Sequence, residues 1–212
     1  MNIVILGAPA SGKGTQAQLL SEKLKLFHFQ TGALSRDLAR KNKRLKEIVD
    51  SGKLIPEEEM TMYALDYLNQ VKPDFKNILF EGFPRFIRQY EALEEFLKVK
   101  GDDIDFVISL DIDEKEAIKR LSARRTCRKC GKVYNLITNL PVEKGKCDCG
   151  ERLFLRRDDK PESVRLRFKY YEENTKKLID YLAGKKKLIR VDAVRPIDII
   201  FRDILKKIGV KK

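Results

Sequence analysis

The sequence has little of several residues on which common functions depend. Its 212 residues include no tryptophan and a single histidine, His28. One histidine makes Ser/His/Asp and Cys/His hydrolytic arrangements poor candidates, and its place in a strand-like run predicts a role in the core or the sheet. The longest apolar runs, such as Ile3–Leu6, are too short to span a bilayer. Met1 leads directly into a strand-like segment, so we expect a soluble, cytoplasmic protein without a signal peptide.

Cysteine is absent outside one short segment. The four cysteines are Cys127, Cys130, Cys147 and Cys149, with two, sixteen and one residues between them. This clustering favours a closed tetrahedral zinc site in a reducing compartment over a disulfide framework. Such a zinc ion would be structural, because an insert of about 35 residues is too small to build its own core. Asp148 is an alternative ligand to one thiol, and disulfides or free thiols are further alternatives.

The net charge of +13 is unevenly distributed. Residues 1–123 carry 19 Lys and Arg against 20 Asp and Glu, whereas residues 124–160 carry 11 against 5 and residues 161–212 carry 15 against 7. A basic second half fits either nucleotides enclosed in a cleft or a nucleic acid.

Hydrophobic patterning predicts strands that alternate with helices. The strand candidates are Asn2–Leu6, Leu26–Gln30, Asn77–Glu81, Asp105–Asp111 and Lys187–Val191. This alternation indicates an α/β fold with a parallel five-stranded sheet flanked by helices. Two segments interrupt it, so we predict a core of residues 1–30, 72–124 and 160–212, a helical insert of residues 31–71 and a cysteine-rich insert of residues 125–159.

The segment from Gly7 to Thr15 fits the pattern G-x-x-x-x-G-K between a strand and a helix. In such loops the backbone N–H groups at the start of the helix converge on an anion, and the lysine, Lys13, adds a charge for the β- and γ-phosphates. Gly14 stands where a hydroxyl residue is usual, and Thr15 follows it. The motif predicts a P-loop NTPase-type fold.

This loop, with Gln16, resembles that of adenylate kinases and related nucleoside monophosphate kinases. Thr31-Gly32 with Arg36, Gly52–Ile55, and Glu81–Arg85 with Gln89 are similar to the monophosphate-binding segments of that family. Arg120–Arg124, Arg156–Asp159 and Arg167 are similar to its lid hinges and catalytic arginines. The resemblance covers nearly the whole chain, and it identifies the helical insert as the AMP-binding insert and the cysteine-rich insert as a zinc-binding lid.

The resemblance implies a set of residues on the ATP side. Lys13, Arg85, Arg124, Arg156 and Arg167 would be catalytic, and Arg120 would pack near the donor adenine. Arginine suits this work because its planar fork stays charged and binds phosphate oxygens bidentately. The implied ATP-binding residues are Ala10, Ser11, Gly12, Lys13, Gly14, Thr15, Arg120, Arg124, Val133, Tyr134 and Arg195.

A second set is implied for AMP. Arg36 and Arg85 would hold the monophosphate, and Gln89 would read the adenine edge with an amide that both donates and accepts. An exposed helix position is the alternative interpretation of Gln89. The implied AMP-binding residues are Thr31, Arg36, Lys53, Leu54, Ile55, Gly82, Phe83, Pro84, Arg85, Gln89, Arg156 and Arg167.

The chain departs from the family at four positions. Ala10, Ala33 and Phe86 stand where relatives usually have glycine, aspartate and threonine, and an alanine at residue 10 is strained if φ there is positive. Glu81 replaces an aspartate; it would reach a water on Mg²⁺, or serve a structural role instead. The resemblance also implies that Asp158 and Asp159 pair with Arg124 or neighbouring basic residues.

The sequence therefore predicts a monomeric adenylate kinase that uses Mg²⁺ with ATP and holds a structural Zn²⁺, with ATP, AMP and ADP as its partners. A kinase for UMP, CMP or GMP differs only in the acceptor pocket. A nucleotide-controlled zinc-ribbon protein that binds RNA or DNA is the less favoured alternative, since it leaves the first half unexplained.

Overall fold

The structure is a computed structural model that describes residues 1–156, 159, 161–185 and 187–210. Asp158, for which the sequence implies an ion pair, lies outside these residues. The strands are β1 (Ile3–Gly7), β2 (Phe27–Gln30), β3 (Ile78–Glu81), β4 (Phe106–Asp111), β5 (Arg124–Cys127), β6 (Val133–Asn135), β7 (Leu153–Phe154) and β8 (Leu188–Asp192).

Helices follow or separate most of these strands. They are α1 (Lys13–Leu24), α2 (Thr31–Lys41), α3 (Lys43–Asp50), α4 (Glu57–Val71), α5 (Ile87–Val99), α6 (Glu114–Ser122), α7 (Pro161–Tyr170), α8 (Lys176–Ala183) and α9 (Ile197–Lys207). A π-helical turn, Tyr171–Thr175, joins α7 to α8. Among the described residues, no helix combines the length and the apolar character that crossing a membrane would require.

The main sheet is parallel and has the order β2-β3-β1-β4-β8. The predicted α/β class and its five parallel strands are confirmed. Each of the five strands of this sheet starts one residue after its predicted first residue. The strands pair in parallel because each connection between them is long enough to return across the sheet. All five carboxyl ends consequently lie at one edge, where ligands bind in open α/β sheets.

The central strand is buried on both faces. Every residue of β1 is buried, and alternate side chains enter different cores. Val4 and Leu6 join the core beneath α4, α5 and α8, whereas Ile3 and Ile5 join the core beneath α1 and α9. Burying each of these side chains contributes about 1.5–3 kcal/mol, so this short apolar run fixes helices on both sides of the sheet.

The two interrupting segments are built differently from the main sheet. Helices α2, α3 and α4 fill the chain between β2 and β3. The cysteine-rich segment forms an antiparallel sheet of order β6-β5-β7. Among the residues of this segment that the structure describes, the buried cluster consists of Cys127, Tyr134 and Cys147, with Leu153 packed against them. So small a core is consistent with a fold that a metal ion completes.

Candidate active site

The phosphate-binding loop follows β1 and opens α1, in the context that the sequence predicts. Gly7 has φ of +144°, and an ideal Cβ there would lie 2.5 Å from the carbonyl oxygen of Leu110, so only glycine fits. Ala10 has φ of +59°. The strain predicted at residue 10 for a positive φ is therefore present, because a left-handed conformation costs an alanine about 1–2 kcal/mol.

Lys13 lies across the mouth of this loop. Its ammonium group donates hydrogen bonds to the carbonyl oxygens of Gly7, at 2.8 Å, and Ala8, at 2.7 Å. Burial lowers the pKa of Lys13 to about 7, and the positive potential of nearby arginines adds to this shift. A phosphate chain beside Lys13 would favour the charged ammonium form and so raise this pKa.

The predicted catalytic arginines converge on the same cleft. Arg124 and Arg167 both contact the carboxylate of Asp159, whose side chain is fully buried, and the bond from Arg167 is 3.0 Å long. This arrangement matches the ion pair implied for Asp159. One carboxylate thereby orients two guanidinium groups from segments more than 40 residues apart in sequence.

Two further arginines complete the positive wall of the cleft. Arg85 donates from Nε to the carbonyl oxygen of Gly82 at 2.8 Å. Burial, with help from Arg167, lowers the pKa of Arg85 to about 10, so the group stays charged at neutral pH. Arg156 donates from Nε to the hydroxyl of Thr126 on β5 at 2.9 Å, which links Arg156 to the antiparallel sheet β6-β5-β7, called the lid sheet below.

Glu81 places a carboxylate among these cations. Its Oε2 lies 2.9 Å from Nε2 of His28, and an ideal Cβ on Gly14 would lie 3.2 Å from its Oε1. Burial raises the pKa of Glu81, but the hydrogen bond from His28 and the charges of His28, Lys13 and Arg156 outweigh it and lower the pKa below its usual value. Glu81 is therefore ionised at neutral pH and faces the first turn of α1.

The predicted AMP-side residues line a pocket between the loop after β3 and the start of α4. Its walls are Thr31, Leu54, Ile55, Met60, Gly82, Arg85, Phe86 and Gln89. Phe86, one of the departures from the family, is therefore a pocket residue. The hydroxyl of Thr31 donates to the carbonyl oxygen of Glu81 at 2.8 Å, which joins the start of α2 to the end of β3.

Gln89 is buried, with 2% of its surface exposed, so the alternative of an exposed helix position is wrong. Its Oε1 accepts from the backbone N–H of Arg85 at 2.9 Å, and its Nε2 donates to the carbonyl oxygen of Glu57 at 3.1 Å. One lone pair and one N–H of the amide stay available to a ligand.

Not every predicted AMP-side residue presents its side chain to this pocket. Phe83 is fully buried and packs edge-on against Phe29 at 6.3 Å, and Pro84 is also buried. Lys53 is exposed, and none of residues 53, 83 and 84 lines this pocket. Arg36 lies one turn along α2 from Gly32, and an ideal Cβ on Gly32 would be 3.4 Å from its Nη1.

The predicted donor-side residues form a separate group. Arg120 is buried, and its guanidinium group contacts Glu116 and the carbonyl oxygens of Ala193 and Val194. Arg195 pairs with Asp203 at 2.7 Å. The Arg120 bonds hold the loop after β8 against α6, and the Arg195 pair holds the same loop against α9.

The strand β6 contributes the last two donor-side predictions. Val133 is 38% exposed, whereas the Tyr134 side chain is buried and its hydroxyl donates to Sγ of Cys147 at 3.4 Å. The ring of Tyr134 faces the cysteines, so any contact between Tyr134 and ATP would use its backbone.

The four cysteines form a candidate metal site. Their Sγ atoms all lie within 4.8 Å of one another, with 3.5 Å between Cys127 and Cys149 and 3.4 Å between Cys130 and Cys147. A tetrahedral zinc ion with bonds of 2.3 Å needs sulfur atoms about 3.8 Å apart, so the thiols fit such an ion. The short Cys147-x-Cys149 spacing does not prevent convergence, because a turn that ends at Gly150, with φ of +84°, brings both thiols inward.

Asp148, the alternative ligand, is oriented away from this cluster. Its carboxylate pairs with Lys132, and its backbone N–H donates to the Tyr134 hydroxyl at 3.1 Å. The pKa of Cys147 is lowered to about 6 by hydrogen bonds from the backbone of Cys149 and from Tyr134. Backbone hydrogen bonds lower the pKa of Cys130 and of Cys149, but hydrogen bonds with neighbouring thiols of the cluster outweigh them and raise both values in turn, so these thiols titrate together.

Sequence reasoning missed the place of His28. The prediction of a role in the sheet is correct for its backbone, but its side chain reaches Glu81 in the cleft. Residues 28 and 30 share one face of β2, and Gln30 pairs in register with Glu81. Period-2 alternation gives the shared face, but only the order of the strands places that face beside Glu81.

Comparison with known proteins adds an independent finding. A family model described as "Adenylate kinase" matches residues 5–187. The chain is 42% identical over 211 residues to the adenylate kinase of Thermosipho africanus, which covers 97% of this chain and 98% of that relative. It is 43% identical over 210 residues to the adenylate kinase of Archaeoglobus fulgidus, with 96% of each chain covered. The adenylate kinase of Methanothrix thermoacetophila is 40% identical over 212 residues, with 97% of each covered.

Proposed function

Because this chain belongs to the adenylate kinase family, we propose that it catalyses the reversible reaction of MgATP with AMP to give two ADP and so serves adenine nucleotide homeostasis. It is a phosphotransferase, as its relatives are by name. An oxygen of the AMP phosphate attacks the γ-phosphorus of ATP in line, the bond to the β-phosphate oxygen breaks, and the electron pair of that bond leaves with ADP. No covalent enzyme intermediate is required.

The observation that carries this proposal is the shared location of the cations. Arg85, Arg124 and Arg167 lie near enough to Lys13 to lower its pKa, and Lys13 and Arg156 lie near enough to Glu81 to lower the pKa of that carboxylate. Phosphoryl transfer requires positioning and charge stabilisation far more than proton transfer. A cleft whose cations come from five separate segments suits two polyphosphate chains that meet end to end.

We propose distinct roles within this cluster. Lys13 and the loop N–H groups hold the β- and γ-phosphates of ATP, while Arg36 and Arg85 hold the AMP phosphate. Arg124, Arg156 and Arg167 surround the transferred group. Asp159 orients Arg124 and Arg167. Residues 31–71 close over AMP and residues 125–159 close over ATP, which excludes water that would otherwise accept the phosphoryl group.

The choice of AMP as acceptor rests on Gln89. Its available N–H and lone pair offer a donor and an acceptor side by side, and adenine presents the complementary pair at its edge. Apolar walls from Leu54, Ile55 and Met60 suit the faces of a purine.

Two metals belong to the proposal. Glu81 is an ionised carboxylate beside Gly14 of the loop, and it suits the role of accepting a hydrogen bond from a water bound to Mg²⁺. When bound with ATP, Mg²⁺ neutralises charge on the phosphate oxygens. The four thiols would hold a structural Zn²⁺, because four protein ligands leave no open position for a substrate.

The proposal includes an oligomeric state and a cellular compartment. We propose that the protein works as a monomer, as the resemblance to its family implies. Four free thiols that hold a metal must stay reduced, which favours the cytoplasm.

A coupled assay of ADP formation with ATP and a panel of AMP, UMP, CMP and GMP tests the proposal. ADP formed with AMP alone is the expected result. Turnover with UMP or CMP in preference to AMP would assign the pocket to another monophosphate, and turnover with none of them would refute the proposed reaction.

A further inference from the structure

The only histidine of the sequence lies at the candidate active site without an assigned task. His28 and Glu81 come from adjacent strands, β2 and β3, and their side chains meet at 2.9 Å. The His28 side chain is 15% exposed and that of Glu81 is 22% exposed, so this hydrogen bond is largely shielded from water. Shielding makes the bond stronger than the same contact on the surface.

The partners of His28 determine which ring nitrogen carries the proton. An ionised Glu81 only accepts, so Nε2 of His28 must donate to it. The amide nitrogen of Gln30 lies 3.1 Å from Nδ1 and 3.2 Å from Nε2 of His28, so Gln30 packs against both ring nitrogens and holds the imidazole beside Glu81.

Glu81 needs such an anchor because it can reach more than one partner. A glutamate side chain has three rotatable bonds, so its carboxylate loses considerable conformational freedom when it is fixed. Lys13 and Arg156 are near enough to influence its ionisation. An unanchored carboxylate would pair with Lys13 and withdraw the lysine from the phosphates of ATP.

We propose that His28 is a positioning residue for the magnesium nucleotide: it holds the Glu81 carboxylate against the first turn of α1, and Gln30 packs against the imidazole from the same strand. This inference rests on the proposed function, in which Glu81 receives a water of Mg²⁺. It adds a residue to the site that neither motif spacing nor the family match assigns.

The first experiment measures ATP binding by calorimetry with and without Mg²⁺, and takes the ratio of the two Kd values as the magnesium enhancement. His28→Leu should lower this enhancement about tenfold, the usual cost of losing a group that orients a metal's environment. The affinity for AMP, which binds without metal, should stay unchanged. His28→Gln places an amide N–H near the position of Nε2 and should restore most of the enhancement.

A double-mutant cycle with Glu81→Gln separates positioning from a general structural effect. If His28 acts through Glu81, His28→Leu changes the enhancement by less than about twofold once Glu81 is replaced. Tyr90→Phe is the matched control, since it removes a tyrosine bond to Glu94 of 3.1 Å away from the cleft. An equal loss in both backgrounds, or an unchanged enhancement in His28→Leu, would overturn the proposal.

A single histidine also makes the tautomer directly measurable by ¹⁵N NMR on the metal-free protein. A proton on Nε2 is expected, and an Nε2 without a proton would overturn the proposed hydrogen bond to Glu81. Turnover of the wild-type protein distinguishes a failure of the proposed function from a failure of the role of His28. Absence of AMP-dependent ADP formation would refute the proposed function, whereas normal turnover with an unchanged His28→Leu enhancement would refute only the role of His28.

Discussion

Arg167 on α7 donates a hydrogen bond of 3.0 Å to Asp159, whose side chain is completely buried. Arg124, at the start of the lid sheet, contacts the same carboxylate. Two cations that would repel each other in an empty cleft are thus held by one shared anion. A buried carboxylate with two such partners is costly to remove, because both arginines then lose this charged contact.

Asp159→Ala should therefore lower the free energy of unfolding by about 3 kcal/mol, the usual cost of breaking a buried ion pair. Chemical denaturation measures this loss. Asp198→Ala is the control, since its pair with Arg202 is exposed and should change stability by less than about 1 kcal/mol. Equal effects of the two substitutions would contradict the buried role of Asp159.

Arg85→Ala should reduce AMP-dependent ADP formation by about 10²–10³-fold, since it removes a buried cation aimed at the acceptor phosphate. The far-ultraviolet circular dichroism spectrum should not change. Arg88→Ala, an exposed position on the next helix, should retain turnover close to that of the unchanged protein. Near-normal turnover in Arg85→Ala would refute the role proposed for Arg85.

A further prediction concerns Asp148, the one residue between Cys147 and Cys149. Asp148→Asn should keep one zinc ion per chain, because Asp148 pairs with Lys132 and four thiols supply the ligands. Cys149→Ser should lose most of its zinc. Elemental analysis of the purified proteins measures the zinc content per chain. Zinc lost in Asp148→Asn but kept in Cys149→Ser would show that Asp148 is the ligand.

Chelation of the metal should lower Tm by about 5–10 °C, which corresponds to 2–3 kcal/mol for a chain of this size. It should also open residues 125–159 to protease, since their buried cluster is too small to hold the fold. Turnover at low temperature should change much less. A Tm and a protease pattern that added zinc leaves unchanged would contradict a structural role.

Ala10→Gly should raise Tm by about 2–4 °C, because it relieves about 1 kcal/mol of strain at a φ of +59°. Ala92→Gly, in the middle of α5, is the matched control and should lower stability by about 1 kcal/mol through lost helix propensity. Thermal melts of the two variants should therefore shift in opposite directions. A shared direction would show that residue 10 is not strained.

Several features of the fold follow from local pattern. The apolar run of β1, the loop glycines and the helix that begins at Lys13 are encoded within about 20 consecutive residues, and the five strands match their predicted positions. The clustering of four cysteines likewise indicates a metal site without any knowledge of the fold. Spacing alone left open whether Asp148 or a thiol completes that site, because the answer depends on how the chain turns after Cys147.

The sequence by itself determined the class of the fold, the phosphate-binding loop and the kinds of charged groups that the cleft would contain, since each of these depends on residues close together in the chain. Only the tertiary structure decided which groups meet. Glu81 lies beside His28 because β2 and β3 are neighbours in the sheet, and Asp159 holds Arg124 and Arg167 because α7 packs beside the base of the lid. Contacts between distant segments depend on the order of strands and the packing of helices, which no local pattern encodes.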